Sequence, residues 1–380
     1  MSDELSRRYL LQVGSGFVAG LASVALLSNL TPVLAQFAIP IRKSMSVLRT
    51  SGRYLYDSSG EKIILRGINL PLLDDWDFPQ SDKLAELEKT GANAVRIQWY
   101  IDYGQPSRPA YSIEDLDRFL TRCKVSQIIA IIGLWDLTCG SDTTLLNTQL
   151  IPWWTSEPVL AVLTKHQRYL IINVANELGL YRWADNSVSA LDTYKTAYKT
   201  AITTIRQYLH VPITIDAPDC GTSIEVFTNI GQELIDHDPD HNLLLSGHAY
   251  WAAYDGLPYL DAAINANLPI VFGEIANKQD EDINGETQYC YYDLDGTNEN
   301  HAPQNSFTYQ AFLQTLKEKE IGWLAWCWWK DGCSSRQMSQ DGNFSGLTPY
   351  GNDIVNNPDY GLKATALRSS AFGVDEFNTL

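Results

Sequence analysis

Positive charge is scarce in this chain. Its 380 residues include 28 Lys and Arg against 45 Asp and Glu, which gives a formal net charge of −17 at pH 7. Nucleic acids and anionic membranes bind basic surfaces, so this balance argues against both as partners. Because 45% of the residues are hydrophobic, the chain has enough apolar surface for a large core, and composition excludes a disordered protein.

Motifs that bind cofactors are also missing. The chain has no Gly-rich phosphate-binding motif, no HExxH and no CxxC, and none of its 6 histidines stands at zinc-finger spacing beside a cysteine. We therefore expect neither a nucleotide nor a metal cofactor. An acidic segment could bind calcium, but without EF-hand spacing a solvated charged loop is favoured. Its acidic residues are Asp280, Glu281, Asp282, Asp293 and Asp295.

The cysteine count is even, which permits disulfides in an exported protein but assigns none. Cys327 and Cys333 flank a Trp-rich segment and could close a small loop. Free buried cysteines are the alternative. The remaining cysteines are Cys123, Cys139, Cys220 and Cys290.

The N-terminus predicts an export signal. Arg7 and Arg8 precede an apolar run over 13–30, and Ala35 ends a small-residue cleavage site. The pattern resembles a twin-arginine signal, although the Lys that usually ends that motif is absent. An uncleaved membrane anchor is the alternative, because the apolar run is almost long enough to span a bilayer. We interpret residues 1–35 as the signal, 36–50 as a linker and 51–380 as one folded domain.

Apolar runs of strand type alternate with amphipathic helical stretches along this domain, which is typical of repeated βα units. Eight such runs predict an α/β fold, a single-domain (β/α)8 TIM barrel, with a doubly wound open sheet as the alternative. We also expect a hairpin over 51–62 with its turn at 57–60, and long loops over 137–159 and 277–307. Predicted strands are 63–69, 93–99, 128–136, 169–177, 212–218, 242–251, 269–276 and 322–329. Predicted helices are 82–89, 113–124, 191–209, 224–235 and 309–319, the first two after the caps Ser81 and Ser112.

Two carboxylates come at the ends of buried runs, where a barrel assembles its active site. The fourth run ends in Asn176 and Glu177, and the seventh ends in Glu274. Glycoside cleavage needs such a pair, because one carboxyl protonates the leaving oxygen and the other attacks the anomeric carbon. A capping role would explain one Glu, but a carboxylate after a buried strand is costly without a purpose. The pair therefore predicts catalysis.

Six short motifs follow one another at barrel spacing. They are LRGIN at 65–69, GANAVR at 91–96, NE at 176–177, GHAY at 247–250, GE at 273–274 and GWLAW at 322–326. Together they resemble glycoside hydrolase family five, the family of cellulases and β-mannanases, over essentially all of the chain after the signal. The sequence around 171–177 and 322–328 most resembles the bacterial mannanase-like branch of that family. The resemblance implies that 51–380 is a catalytic domain.

The matched motifs imply a retaining hydrolase that acts by double displacement through a glycosyl-enzyme intermediate. Glu274 would be the nucleophile, kept ionised by Arg96 and Tyr250. Glu177 would act first as acid and then as base, and a raised pKa would keep it protonated for the first step. His248 could contact Glu177 or a sugar hydroxyl, with a structural histidine as the alternative. Asn176 would bind the sugar 2-hydroxyl, and Trp326 would stack on the ring, with Trp328 or Trp329 as competitors.

One strand departs from the family pattern. The third strand of the family usually ends in a His-containing motif, and Trp135 takes that place here, followed by Asp136. We therefore expect Trp135 to be a stacking platform, with core packing as the alternative, and Asp136 to bind a hydroxyl. Four more tryptophans after candidate strands could extend the cleft: Trp153, Trp154, Trp183 and Trp251.

The sequence thus predicts an exported, monomeric enzyme without cofactors that cleaves a β-1,4-linked polysaccharide or oligosaccharide of the mannan or cellulose type. Two other functions stay open. A transglycosylase would use the same intermediate with a sugar in place of water. A non-catalytic carbohydrate-binding barrel would keep the aromatic cleft, but binding alone does not require both Glu177 and Glu274.

Overall fold

A computed structural model describes residues 47–71, 83–101 and 111–373. The predicted export signal, residues 36–46 of the predicted linker and the cap Ser81 lie outside these residues. Within the described ranges, no helix has both the length and the apolar character needed to cross a membrane.

Eight parallel strands close into a barrel, which confirms the predicted (β/α)8 fold. Every residue of these strands is buried except Gly322, because parallel strands of a barrel pack on both faces. The last strand pairs with the first through Trp323 and Arg66 and so completes the ring. In order around the barrel, the strands are β4 (Arg66–Leu70), β5 (Ala94–Trp99), β6 (Ile129–Leu134), β7 (Leu170–Asn173), β8 (Ile213–Asp216), β9 (Leu243–His248), β10 (Ile270–Ile275) and β13 (Gly322–Ala325).

A small antiparallel sheet precedes the barrel. It consists of β1 (Arg49–Ser51), β2 (Tyr54–Tyr56) and β3 (Lys62–Ile63), and the turn between β2 and β3 lies at the predicted hairpin position. Leu48 is buried in one cluster with barrel-strand side chains such as Ile131. Residues 47–50 therefore belong to the packed fold and not to a linker, because Val47 and Leu48 join the core and Arg49 begins β1.

Ten α-helices occur in the described ranges, and those predicted near 113–124, 191–209, 224–235 and 309–319 all form. For α2, Ser112 accepts a hydrogen bond from the backbone N–H of Asp115 and so caps the helix as predicted. The helices are α1 (Lys83–Glu88), α2 (Ile113–Val125), α3 (Ile151–Trp154), α4 (Glu157–His166), α5 (Val188–Ile205), α6 (Glu225–His237), α7 (Leu257–Asn265), α8 (Tyr309–Glu318), α9 (Pro349–Asn356) and α10 (Leu362–Thr365).

Both predicted long loops contain regular structure. The segment 137–159 includes a π-helical turn (Leu146–Leu150), α3 and the start of α4. The segment 277–307 includes an antiparallel hairpin, β11 (Lys278–Ile283) and β12 (Glu286–Asp293). This hairpin is largely polar and exposed, so it lacks the apolar runs from which buried strands are predicted. Two residues of the predicted acidic segment have a protein counter-ion, because Lys278 donates hydrogen bonds to Asp293 (2.8 Å) and Asp295 (2.9 Å).

Two disulfides form, and neither closes the small loop considered for Cys327 and Cys333. Cys139 bonds to Cys220, and Cys290 bonds to Cys333. Cys327 is fully buried and has a free thiol, because Cys333 is bonded to Cys290 instead.

A buried ion pair supports the end of the barrel opposite the carboxyl ends of the strands. Arg206 donates to both carboxylate oxygens of Asp238, at 2.7 and 2.8 Å, and to the backbone carbonyl of Asn242 just before β9. We expect Asp238→Asn to lower the free energy of unfolding by about 3–5 kcal/mol, because it removes the buried counter-charge of the guanidinium and leaves only the more solvent-exposed Asp240, 3.3 Å from Nε. Urea denaturation measures this loss.

The matched control is Glu320→Gln, which breaks the exposed pair with Lys62. Its cost should be roughly 1 kcal/mol or less, since solvent screens exposed pairs. Equal losses in the two variants would contradict the structural role of the buried pair.

Candidate active site

Polar side chains from five barrel strands meet at the carboxyl ends of the strands. Arg96 lies on β5, Asp216 and His248 end β8 and β9, Glu274 lies on β10, and Glu177 follows β7. All five are buried, with Glu177 the most exposed at 7%. A cleft of about 740 Å³ opens above them and reaches both Glu177 and Glu274. The structure therefore brings the predicted carboxylate pair into one site.

Arg96 is the centre of the hydrogen-bond network. It is 2% exposed, and its two terminal nitrogens both donate to side chains of other strands. Nη1 donates to Glu274 Oε1 (2.8 Å) and Asn69 Oδ1 (3.1 Å), while Nη2 donates to Asn173 Oδ1 (2.9 Å), Asp216 Oδ2 (3.2 Å) and Asn176 Oδ1. This arrangement gives a buried guanidinium the partners that its charge requires.

Glu274 is held through both of its carboxylate oxygens. Arg96 binds Oε1, and the Tyr250 hydroxyl donates to Oε2 at 2.8 Å. Burial and the adjacent Glu274 raise the pKa of Tyr250 well above its ordinary value, so the phenol keeps its proton and remains a donor. These are the two contacts that the sequence predicts for this residue.

Glu177 lies in a strained turn after β7. Its φ of +53° is in the left-handed region, which costs a non-Gly residue about 1–3 kcal/mol unless the surroundings hold it. The backbone N–H of Glu177 donates to Asp216 Oδ2 at 3.3 Å, and the N–H of Asn176 donates to the carbonyl of Leu134 at 2.8 Å. Gly179, which follows at φ +116°, has no room for a Cβ beside Tyr194. The turn is therefore fixed from several sides.

The Glu177 carboxyl group has an unusual environment. His248 Nδ1 lies 2.6 Å from Oε1, and Cys139 Sγ lies 3.2 Å from Oε2. Burial raises the pKa of Glu177 to about 7, and the nearby Glu274 charge adds to the rise while His248 opposes it. One oxygen of Glu177, one of Glu274 and a ring nitrogen of His248 all lie within 4.8 Å of one another.

Asp216 is a site residue that the sequence analysis missed. Its Oδ1 lies 3.6 Å from His248 Nε2, and its other oxygen binds Arg96. Burial alone would raise its pKa, but the charges of His248 and Arg96 lower it to about 2. Burial would lower the pKa of His248, but Glu274 and Asp216 outweigh it and raise that pKa to about 10. Asp216 ends an apolar run as Glu177 does, so the same signal was present in the sequence.

Two tryptophans form the aromatic wall of the cleft. Trp135 and Trp326 stack with ring centroids 5.2 Å apart and planes 21° apart, and both line the cleft. The Arg96 guanidinium lies 5.3 Å from the Trp135 ring centroid. Trp135 is thus a wall of the cleft and not a core residue. The neighbouring Asp136 accepts a hydrogen bond from the backbone N–H of Ile101 at 3.1 Å.

The other candidate tryptophans divide into core and surface. Trp154, Trp251 and Trp328 are fully buried, and each donates its indole N–H to a backbone carbonyl, so they pack in the core and do not extend the cleft. Trp183 is 57% exposed and lines the cleft. Trp153 packs against Trp154, and Trp329 lies beside the ammonium groups of Lys83 and Lys330.

Two side-chain clusters in the described ranges have the spacing to hold a metal ion. The first is Glu177, His248 and Glu274, but it contains a raised-pKa imidazole and borders the Arg96 guanidinium, so its electrostatics oppose a cation. The second combines Glu177 with Cys139 and Cys220, whose sulfurs are joined in a disulfide and offer no thiolate.

Solved structures with low sequence identity share this fold. The chain matches the catalytic domain of a mannanase from Streptomyces sp. SirexAA-E with a TM-score of 0.69 and 24% identity, covering 91% of this chain and 98% of that one. It matches the mannotriose complex of Thermomonospora fusca β-mannanase with a TM-score of 0.68 and 21% identity, covering 86% of this chain and all of that one.

Sequence relatives and a family model identify the family. A mannan endo-1,4-beta-mannosidase of Cellvibrio japonicus is 26% identical over 368 residues, covering 94% of this chain and 74% of the relative. One of Salipaludibacillus agaradhaerens is 27% identical over 337 residues, covering 85% of this chain and 95% of the relative. The family model Cellulase (glycosyl hydrolase family 5) matches residues 56–332. The chain therefore belongs to glycosyl hydrolase family 5 and is a glycoside hydrolase.

Proposed function

We propose that this protein is an exported endo-β-1,4-mannanase that cleaves its substrate with retention of anomeric configuration. The observation that carries the proposal is the close approach of Glu177 and Glu274, whose oxygens come within 4.8 Å across the barrel mouth. Retaining enzymes hold their two carboxyl groups about 5–5.5 Å apart, whereas inverting enzymes leave room for a water at roughly 6.5–9.5 Å. The short separation favours direct attack by one carboxylate.

In the first step, Glu274 attacks the anomeric carbon while Glu177 protonates the leaving oxygen. Arg96 and Tyr250 orient the Glu274 carboxylate through one oxygen each. Glu177 is available as an acid because burial raises its pKa to about 7. The bond between the anomeric carbon and the leaving oxygen breaks as the ester to Glu274 forms.

In the second step, the Glu177 carboxylate takes a proton from water as the water oxygen bonds to the anomeric carbon, and the bond from that carbon to Glu274 breaks and releases the Glu274 carboxylate. His248 stabilises this carboxylate, because its pKa of about 10 keeps the imidazole protonated beside Glu177 Oε1. Asp216 holds the imidazolium from the other side and also binds Arg96. Asp216 therefore contacts both His248, which binds Glu177, and Arg96, which binds Glu274.

Mannan is the proposed substrate because the curated relatives that match most of the chain are mannan endo-1,4-beta-mannosidases. The Trp135 and Trp326 stack supplies an apolar wall on which a sugar ring can pack. The Asn176 amide is fully buried and is bonded to Arg96 and to Thr138 Oγ1 (3.2 Å), whereas Tyr250 lines the cleft beside Glu274. Export through the twin-arginine route is proposed from the N-terminal pattern of Arg7, Arg8 and the apolar run that follows.

Reducing-end release from β-mannan, glucomannan, carboxymethyl cellulose, xylan and mixed-linkage glucan tests the substrate. We expect the highest kcat/KM on β-mannan, and we expect Glu274→Ala to abolish it because no nucleophile remains. Isothermal titration with a mannan oligosaccharide should show that the variant still binds. Highest activity on a glucan would overturn the mannanase assignment, and hydrolysis by Glu274→Ala would overturn the role of the nucleophile.

Glu177→Ala should separate substrates by their leaving group. We expect kcat/KM on mannan to fall by about 10²–10⁴-fold, the usual contribution of a general acid, whereas a dinitrophenyl glycoside should lose far less because its leaving group needs no proton. Steady-state kinetics on the two substrates make the comparison. Similar losses on both would exclude Glu177 as the acid.

The pH profile of kcat/KM on mannan should have an alkaline limb near pH 7. The raised pKa of Glu177 means that the proton needed in the first step is present below about pH 7 and lost above it. The same enzyme acting on the dinitrophenyl glycoside should show a much weaker alkaline limb. An identical limb with both substrates would assign it to a group other than the acid.

A further inference from the structure

A disulfide crosses the end of the strand that carries the candidate acid. Cys139 lies in the loop after β6 and Cys220 lies in the loop after β8, and β7 stands between these two strands in the barrel. The bond joins residues 81 positions apart and thus encloses the turn that contains Glu177. Cys139 is exposed, Cys220 is half-buried, and both line the cleft.

The two oxygens of Glu177 have different partners. Oε1 lies 2.6 Å from His248 Nδ1, whereas Oε2 lies 3.2 Å from Cys139 Sγ. A sulfur in a disulfide has no hydrogen to donate, and no residue in the described ranges donates a hydrogen bond to Oε2. An ionised carboxylate is stabilised by donors on its oxygens, and a protonated one is favoured where they are absent. The sulfur therefore lies beside Oε2 at a position from which a hydrogen-bond donor would stabilise the charged form.

The surrounding loops are also joined without the disulfide. The backbone N–H of Gly179 donates to the carbonyl of Gly140, and the N–H of Asp219 donates to the carbonyl of Gly179, both at 2.8 Å. These bonds connect the turns after β6, β7 and β8 directly. These backbone hydrogen bonds still connect the three turns when the disulfide is lost. The effect of that loss on Glu177 can therefore be measured in a folded protein.

We propose that the Cys139–Cys220 disulfide is a positioning element for Glu177, which fixes the carboxyl group and shields its Oε2 from hydrogen-bond donors. The proposal rests on the proposed role of Glu177 as acid and base. It predicts that the disulfide keeps the acid protonated to a higher pH than the same site would with two thiols, because a thiol S–H can donate to Oε2.

Chemical reduction tests the proposal in the Cys290→Ser and Cys333→Ser double variant, which retains Cys139–Cys220 as the only disulfide seen in the described ranges. A water-soluble phosphine supplies two electrons to the S–S bond and leaves as its oxide with the oxygen of water, whose two protons end on the two sulfurs. We expect the alkaline limb of kcat/KM on mannan to move down by about one pH unit, because the new donors favour ionised Glu177.

Other groups that titrate or carry charge around Glu177 stay unchanged in this experiment. They are Arg96 on β5, Asp216 on β8, His248 on β9, Tyr250 after β9, Glu274 on β10, and Arg182 and Arg336 in the cleft wall. The unreduced double variant is the matched control and should keep the limb of the wild type. Its two changed residues do not line the cleft. Thiol titration and circular dichroism confirm reduction and folding.

A second variant, Cys139→Ser with Cys220→Ser, gives the same comparison without a reductant, since a serine hydroxyl also donates. It should also move the alkaline limb of kcat/KM to lower pH. If this variant does not fold, the reduction experiment alone tests the proposal. An unmoved limb in the folded, reduced protein would overturn the proposal. If Glu177 were not the acid and base, the result would be different, because Glu177→Ala would then lose activity equally on mannan and on the dinitrophenyl glycoside.

Discussion

The buried guanidinium of Arg96 is the charge on which the polar layer of this barrel depends. A 2% exposed cation is tolerated only when charged or hydrogen-bonding groups surround it, and Arg96 receives them from five side chains on or after four other strands. Those partners are themselves buried, and Arg96 is a hydrogen-bond donor that all five share. The hydrogen bonds that stabilise the buried charge of Arg96 thereby also hold Glu274 and Asp216 at the barrel mouth.

Two glutamates with identical side chains acquire different chemistry from this layer. Glu274 accepts hydrogen bonds from Arg96 and Tyr250, one on each oxygen. Glu177 has His248 on one oxygen and a sulfur on the other, and burial raises its pKa to about 7. The division follows from where each residue lies. Glu274 lies within β10, where Arg96 and Tyr250 bind it, whereas Glu177 lies in the left-handed turn after β7, where His248 and Cys139 contact it.

The sequence predicted the parts of this structure that leave a local signal. Parallel barrel strands are buried on both faces, so each is a continuous apolar run, and Glu177 and Glu274 stand out because they are acids at the ends of such runs. The β11–β12 hairpin was missed because its strands are polar and exposed. Asp216 was overlooked although it has the same local signal as Glu177, but the Cys139–Cys220 pairing joins residues distant along the chain, and one sequence contains no local signal for such proximity.

Trp135 replaces the histidine that the family usually has at the end of the third strand, and its contacts differ accordingly. A histidine at the end of the third strand would offer a hydrogen-bonding nitrogen, whereas Trp135 offers a flat aromatic ring that contacts the Trp326 ring and the Arg96 guanidinium. The packing restricts the arginine from above while hydrogen bonds restrict it from the sides. At the end of the third strand the cleft wall is therefore an aromatic surface, which Trp135 forms together with Trp326.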